Sequence, residues 1–258
     1  MTLYDERITS VSLDALREIA VMMDFPVCLC GGWAVYFTVN DFFRKQKDSN
    51  YIGSQDIDIG FYIAPMISKS EFASTDLKRA LTILESDGFE KEGFRYRKEI
   101  LPGRSRVETR QFTLFVDILV NSYPPSINDI YPDYFIEVPL IEDVFADREN
   151  RVVISEVSPD LFMPSRSILT SMKILSLPSG GREGHKRIKD LCDIYSLLWF
   201  SDRSVHENVN GIIGSIDNGA IDRLRDSIDK RLIKDCEMYL GEEAGSMDTV
   251  LGILFEGH

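Results

Sequence analysis

Acidic and apolar residues alternate in the run Asp56-Ile57-Asp58-Ile59. Successive side chains of a β-strand point to opposite faces, so we expect Asp56 and Asp58 on one face and the isoleucines in the core. Two neighbouring carboxylates on one face repel each other unless a cation neutralises them. The pattern therefore predicts a divalent metal site on a strand. Two surface acids at the edge of a sheet are the alternative.

A third acidic residue, Asp117, lies inside a long apolar run from Phe112 to Val120. A carboxylate in such a strand needs a partner, because the burial of an unpaired charge is costly. If this strand pairs beside the strand of Asp56, the three carboxylates converge on two metal ions, as in sites for in-line phosphoryl chemistry. A salt bridge from Asp117 to a neighbouring arginine is the competing explanation.

Gly31 and Gly32 follow a short apolar strand, residues 27–30, and precede a helical pattern that starts at Trp33. Glycines at the start of a helix let an anion approach the unpaired backbone amides, because no Cβ stands in the way. The pair therefore predicts a cradle for a triphosphate, with a plain turn as the alternative.

Hydrophobic periodicity indicates an α+β protein with two domains. We expect a mixed β-sheet with flanking helices in residues 1–160 and a helical domain in residues 161–258. Within the first domain, the pattern predicts one amphipathic helix over residues 69–87 that stops at Gly88. It also predicts a hairpin of residues 89–100 and 107–120 around Pro102-Gly103.

The composition limits the function classes. A net charge of −13 argues against broad nucleic-acid binding, because phosphate contacts need a positive surface. Residues 91–110 have the opposite charge, with seven basic and three acidic residues. We expect a macromolecular acceptor to approach over this hairpin, with a solvated hairpin as the alternative. Four cysteines without a Cys-x-x-Cys motif indicate reduced thiols.

The sequence also predicts a cytoplasmic protein without membrane association. It contains no apolar stretch approaching the roughly 18 residues of a membrane span, and its start lacks a basic segment followed by an apolar run.

The glycine pair, the Asp56-x-Asp58 motif and the later Asp117 together resemble the nucleotidyltransferase superfamily typified by DNA polymerase beta. The resemblance covers residues 25–120. It implies that Asp56 and Asp58 hold two Mg²⁺ ions, or Mn²⁺ in their place, and that Asp117 binds the ion that activates the attacking hydroxyl. The implied reaction transfers a nucleoside monophosphate from a nucleoside triphosphate and releases pyrophosphate.

The second half is similar to the helical part of the abortive-infection (AbiEii-like) nucleotidyltransferase toxins, which show a lysine, an arginine and a Lys-Asp-x-x-Asp helix. The corresponding helix here contains Lys189, Asp190 and Asp193. This resemblance implies a tRNA or protein acceptor and a cognate antitoxin as partner. For Lys189 and Asp190, an exposed helix face with local ion pairs is the alternative. The implied nucleotide-binding residues are Gly31, Gly32, Ser54, Lys173, Arg182 and Lys189.

Two other functions remain open from the sequence. The Gly31-Gly32-Trp33 run also resembles the aminoglycoside adenylyltransferases, and an acidic protein suits a cationic small-molecule acceptor. A catalytically silent module that binds a nucleotide for regulation is the alternative from another class.

Overall fold

The computed structural model describes residues 6–100, 112–178 and 184–257. Within them the chain forms two compact units. We call the described residues of 6–33 and 53–163 the sheet unit, and those of 34–52 and 164–257 the helical unit. One boundary lies close to the expected division at residue 160, but residues 34–52 group with the helices of the second half.

The strands in the described residues belong to one sheet. Their bounds are β1 Val27–Cys30, β2 Asp56–Phe61, β3 Glu90–Glu92, β4 Arg95–Ile100, β5 Phe112–Val120, β6 Ile136–Glu137, β7 Arg151–Val153 and β8 Leu161–Pro164. The helices are α1 Glu6–Met22, α2 Gly31–Lys47, α3 Lys69–Phe72, α4 Asp76–Ser86, α5 Pro125–Asn128, α6 Ile141–Ala146, α7 Arg166–Ser176, α8 Gly184–Trp199, α9 Val205–Ile212, α10 Asn218–Ser227, α11 Lys230–Leu240 and α12 Ser246–Glu256, with a 3₁₀ turn at Arg148–Asn150.

The sheet is mixed and runs in the order β3-β4-β5-β2-β1-β8-β7. Strand β2 is antiparallel to β1 and parallel to β5, while β4 is antiparallel to β5. The short β6 pairs with the end of β5, beyond the residues that β4 covers. A mixed sheet with helices agrees with the expected α+β class. The pairing of β2 beside β5, on which the convergence of the three acids depended, is confirmed.

The two faces of the sheet differ in character. Ile57 and Ile59 of β2 are almost fully buried, whereas Asp56 and Asp58 on the other face are intermediate in exposure. The apolar face also carries Tyr96 of β4, whose hydroxyl donates to Glu85 of α4 over 3.1 Å. The predicted alternation along β2 is therefore confirmed, with the acids on the face opposite the two isoleucines.

The single helix predicted over residues 69–87 is wrong, because the structure has two helices there, α3 and α4. The hydroxyl of Thr75 accepts a hydrogen bond from the backbone amide of Lys78 and so begins α4 anew. The predicted stop at Gly88 is confirmed, since this residue follows the helix with a φ of +84°.

Residues 89–100 also differ from the prediction of one strand. They form the antiparallel pair β3 and β4, which turns at Gly93 with a φ of +59°. The antiparallel pairing of β4 with β5 agrees with the predicted hairpin, whose Pro102-Gly103 turn lies outside the described residues.

The helical unit has a partly buried arginine where three of its helices are linked. Arg166, the first residue of α7, donates to the carbonyl oxygen of Leu197 in α8 over 2.7 Å and to that of Thr38 in α2 over 3.1 Å. Burial lowers the pKa of Arg166 to about 10. Because both acceptors are main-chain carbonyls, we assign Arg166 to helix packing.

Two further expectations concern the described residues. The four cysteines are buried free thiols, as expected. Among these residues, none of the helices combines the length and the apolar character that crossing a bilayer requires.

Candidate active site

The strand register places the predicted acids side by side. Asp58 of β2 lies opposite Asp117 of β5, and Asp117 lies opposite Arg95 of β4. Asp56 is on the same face, because it is two residues from Asp58 along the strand. We call Asp56, Asp58 and Asp117 the carboxylate cluster. Its three members were predicted from the sequence to lie together on one face, and the register places them so.

Arg95 binds two members of the carboxylate cluster. Its Nε donates to Oδ1 of Asp117 over 2.9 Å, and its Nη2 donates to Oδ2 of Asp117 over 2.7 Å. The same Nη2 lies 3.3 Å from Oδ2 of Asp56. The parallel fork to Asp117 is the strong geometry for an arginine and a carboxylate. The salt bridge kept as the competing explanation for Asp117 is therefore present, and it coexists with the predicted strand pairing.

Aromatic packing also holds Arg95. Its guanidinium carbon lies 4.4 Å from the centroid of the Phe115 ring, and its side chain is 19% exposed. Burial alone would lower the pKa of Arg95, but Asp117 and Asp56 outweigh that effect and raise it. In the sequence, Arg95 is one of seven basic residues in residues 91–110, and nothing local marks it as the partner of Asp117. The available signal was the need of Asp117 for a cationic partner on an adjacent strand.

Gly31 begins α2 directly against the carboxylate cluster. It has a φ of +62°, and a Cβ built on it would lie only 1.9 Å from Oδ2 of Asp58. Only glycine permits this approach. The glycine pair was predicted to receive a phosphate, whereas the anionic group that Gly31 meets in the structure is the side chain of Asp58. The positive end of the helix macrodipole favours that anion.

Two other residues of this region were predicted to bind the nucleotide. Gly32 and Ser54 are both buried, and Ser54 precedes Asp56 by two residues. Their role in nucleotide binding stays a prediction.

The carboxylate cluster suits a hard divalent cation by its chemistry. Carboxylate oxygens are the ligands that Mg²⁺ and Mn²⁺ prefer, and these come from two adjacent strands. The present side-chain conformation does not offer all of them at once, because Arg95 holds Asp117 and Asp56. Consistent with this, no group of three or more His, Cys, Asp or Glu residues in the described ranges is arranged to hold a metal ion. Arg95 is therefore the group that would have to move.

A second charged group lies in the helical unit, and we call Lys173, Lys189, Asp190 and Asp193 the lysine–aspartate cluster. Nζ of Lys173 is 2.9 Å from Oδ1 of Asp190 and 2.7 Å from Oδ2 of Asp193. Nζ of Lys189 binds Oδ1 of Asp193. The alternative for Lys189 and Asp190 was an exposed helix face with local ion pairs. Its exposure is wrong, because these residues are 5% and 3% exposed, but its local ion pair is present between Lys189 and Asp193.

Tyr51 completes the surroundings of Asp193. Its hydroxyl donates to Oδ1 of Asp193 over 2.8 Å. Burial alone would raise the pKa of Asp193, but Lys173 and Lys189 outweigh it and lower that pKa. Burial, followed by the charge of Asp193, raises the pKa of Tyr51 far above its usual value. The ion pairs, with both lysines bound to aspartates, indicate a packing role, and the predicted phosphate contacts of Lys173 and Lys189 stay a prediction.

The basic hairpin is less available for an acceptor than its composition suggests. Arg97 lies 3.3 Å from a carboxylate oxygen of Glu90 and 3.4 Å from one of Glu92, and Lys98 lies 2.7 Å from Asp87. Lys91 donates to the carbonyl oxygen of Tyr134, and burial lowers its pKa to about 8 despite the opposing effect of Asp117. Several basic side chains of the hairpin are thus paired with neighbouring acids or carbonyl oxygens. Arg104, Arg106, Arg110 and the predicted phosphate ligand Arg182 lie outside the described residues.

Comparisons of this chain with protein-family models, curated proteins and solved structures find no match. The resemblance to nucleotidyltransferases therefore depends on the motifs alone.

Proposed function

We propose that this protein is a metal-dependent nucleotidyltransferase, which transfers a nucleoside monophosphate from a nucleoside triphosphate to an acceptor hydroxyl and releases pyrophosphate. The observation that carries the proposal is the placement of Asp58 opposite Asp117 on adjacent parallel strands, with Asp56 on the same face. Asp117 is only 6% exposed, and carboxylates gathered this closely repel each other unless cations compensate their charge.

The residues of the site divide the work as follows. Asp56, Asp58 and Asp117 would hold divalent ions through their oxygen atoms. Bound Mg²⁺ would supply activation of the attacking hydroxyl and charge compensation at the triphosphate. The glycine start of α2 keeps Asp58 against the positive end of the helix.

The acceptor follows from the resemblance to toxins of the abortive-infection class. On that basis we propose a macromolecular hydroxyl, either at a tRNA 3′ end or on a protein, and an antitoxin as a regulatory partner. The local pairing of Arg97 and Lys98 with acidic residues weakens the argument from the charge of the hairpin.

The decisive experiment uses each of the four nucleoside triphosphates, labelled at the α-phosphate, with Mg²⁺ and total cellular RNA and protein. We expect covalent label in one macromolecular fraction together with pyrophosphate release. Asp117→Asn and Asp58→Asn should abolish both signals. Asp24→Asn is the matched control, because Asp24 is an exposed acid of the sheet unit whose side chain is 78% exposed. Full activity of Asp117→Asn would refute the assignment.

One observation favours a second candidate, a catalytically silent module that binds a nucleotide. Arg95 already neutralises Asp117 and contacts Asp56, so the cluster is partly compensated without a metal ion. Calorimetric titration with ATP and Mg²⁺, followed by a pyrophosphate assay, separates the two candidates. Binding without pyrophosphate release would support the module.

A further inference from the structure

A single nitrogen of Arg95 links two strands of the candidate site. Nη2 lies 2.7 Å from Asp117 on β5 and 3.3 Å from Asp56 on β2. An ion that binds carboxylate oxygens of both strands needs these same oxygen atoms. A guanidinium and a divalent cation repel each other, so the two cannot share the oxygens at low cost.

We propose that Arg95 is a built-in competitor for the divalent cation, which binds the full carboxylate cluster only after the guanidinium has left Asp56 and Asp117. This inference rests on the metal site of the proposed function. It assigns to Arg95 a regulatory role at that site, since the arginine sets the cation concentration at which the cluster fills.

The contacts of Arg95 hold its guanidinium in place but also allow it to leave. The fork to Asp117 and the stacking on Phe115 hold the guanidinium in place without metal. The side chains of Arg95 and Asp56 are nevertheless 19% and 29% exposed, so water reaches this side of the group. A long side chain at a partly open surface can change rotamer while the backbone of β4 stays paired. The exchange therefore needs no unfolding of the sheet.

Arg97 provides a matched control on the same strand and the same face. It is two residues from Arg95, it carries the same charge, and it pairs with Glu90 and Glu92. Its removal changes the net charge of the protein as much as the removal of Arg95, but it releases no member of the carboxylate cluster. The pair of variants thus separates local competition from long-range attraction of cations.

The test measures Mn²⁺ binding without nucleotide, by calorimetry and by electron paramagnetic resonance of the free ion. The proteins are the full chain, Arg95→Met, Arg95→Lys and Arg97→Met, with Asp56→Asn/Asp58→Asn as the background for other acidic sites. Thermal unfolding checks that each variant is folded. We expect Arg95→Met to bind Mn²⁺ at least about tenfold more tightly, because a charge-assisted fork no longer has to be broken. The Mn²⁺ affinity of Arg95→Lys should lie between those of the full chain and Arg95→Met. Arg97→Met should change the affinity less than about threefold.

The outcomes separate this inference from the proposed function. Equal affinities of the full chain and Arg95→Met, or equal gains in Arg95→Met and Arg97→Met, would overturn the competitor role and leave the metal site intact. Weaker binding by Arg95→Met would also overturn it, and would make Arg95 a positioning residue for Asp117. If no protein, Arg95→Met included, binds Mn²⁺ above the background variant, both the inference and the metal-dependent function fail.

Discussion

Two charged groups of this protein show opposite solutions to the problem of acids inside a fold. The lysine–aspartate cluster of the helical unit pairs its acids with lysines, and Asp193 has no exposed surface. The carboxylate cluster of the sheet unit sets three acids against Arg95 and stays partly exposed. Paired charge with nearly complete burial is typical of packing, whereas several acids on a partly exposed face are typical of a ligand site.

The largest effect should come from the buried cluster. Asp193→Ala leaves Lys173 and Lys189 without their shared acid in a region closed to water. We expect a loss of about 3–5 kcal/mol in the free energy of unfolding, the cost of breaking a buried pair by removing one partner. Urea unfolding at pH 7 measures it.

Two further variants control this prediction. Asp226→Ala removes an exposed acid of the same unit and should change stability by about 0.5 kcal/mol or less. Adding Lys173→Met to Asp193→Ala should recover part of the loss, because one orphaned charge disappears. If Asp193→Ala cost no more stability than Asp226→Ala, the contrast between the clusters would be wrong.

The two clusters also differ in how much of them could be predicted from the sequence. Period-two alternation predicted the faces of Asp56 and Asp58, and the apolar run around Asp117 predicted its need for a partner. Both features depend on local pattern. The partner itself, Arg95, could not be singled out among neighbouring basic residues, because strand register decides which of them lies opposite Asp117.

The lysine–aspartate cluster was harder to interpret. Lys189 and Asp193 have the i,i+4 spacing that usually marks an exposed helix face, and no local rule says that this face is covered. The available signal was the apolar character of the residues around them, Ile188, Leu191, Cys192 and Ile194. Similarly, the break between α3 and α4 depends on the N-cap at Thr75. The spacing of apolar residues alone does not reveal such a cap.

The next largest effect tests the close approach at the carboxylate cluster. Gly31→Ala should destabilise the protein by about 2–3 kcal/mol, since the new Cβ meets Asp58 and the residue has a left-handed backbone. Gly93→Ala is the matched control, with a φ of +59° and no heavy atom within 4 Å of the new Cβ. It should cost only about 1 kcal/mol, the backbone penalty alone. Thermal or urea unfolding of both variants measures the difference. Equal costs would mean that Asp58 moves away freely.

A smaller effect is expected in the dependence of stability on pH. The pKa of Asp193 is lowered in the folded protein, so its ionised form contributes stability that is fully present above its unfolded pKa of about 3.9. That contribution is lost as the pH falls through the folded pKa. We therefore expect the stability difference between the protein and Asp193→Asn to be large at pH 7 and to shrink below about pH 4. Urea unfolding at several pH values measures it, and a difference that stays constant would contradict the charged pairing.

The smallest expected effect sharpens the comparison most, because one substitution should have different results in the two clusters. Asp58→Asn removes one of three crowded carboxylates without adding or deleting a heavy atom. We expect its unfolding free energy to change by no more than about 0.5 kcal/mol, because the relief of repulsion in the cluster and the lost attraction to the positive end of α2 offset each other. Asp190→Asn makes the same change in the helical unit, where Lys173 loses a buried partner, and should be clearly destabilising. Urea unfolding of both variants without divalent ions gives the comparison. Equal destabilisation would place Asp58 among the packing residues and remove the argument that its charge is kept for a ligand.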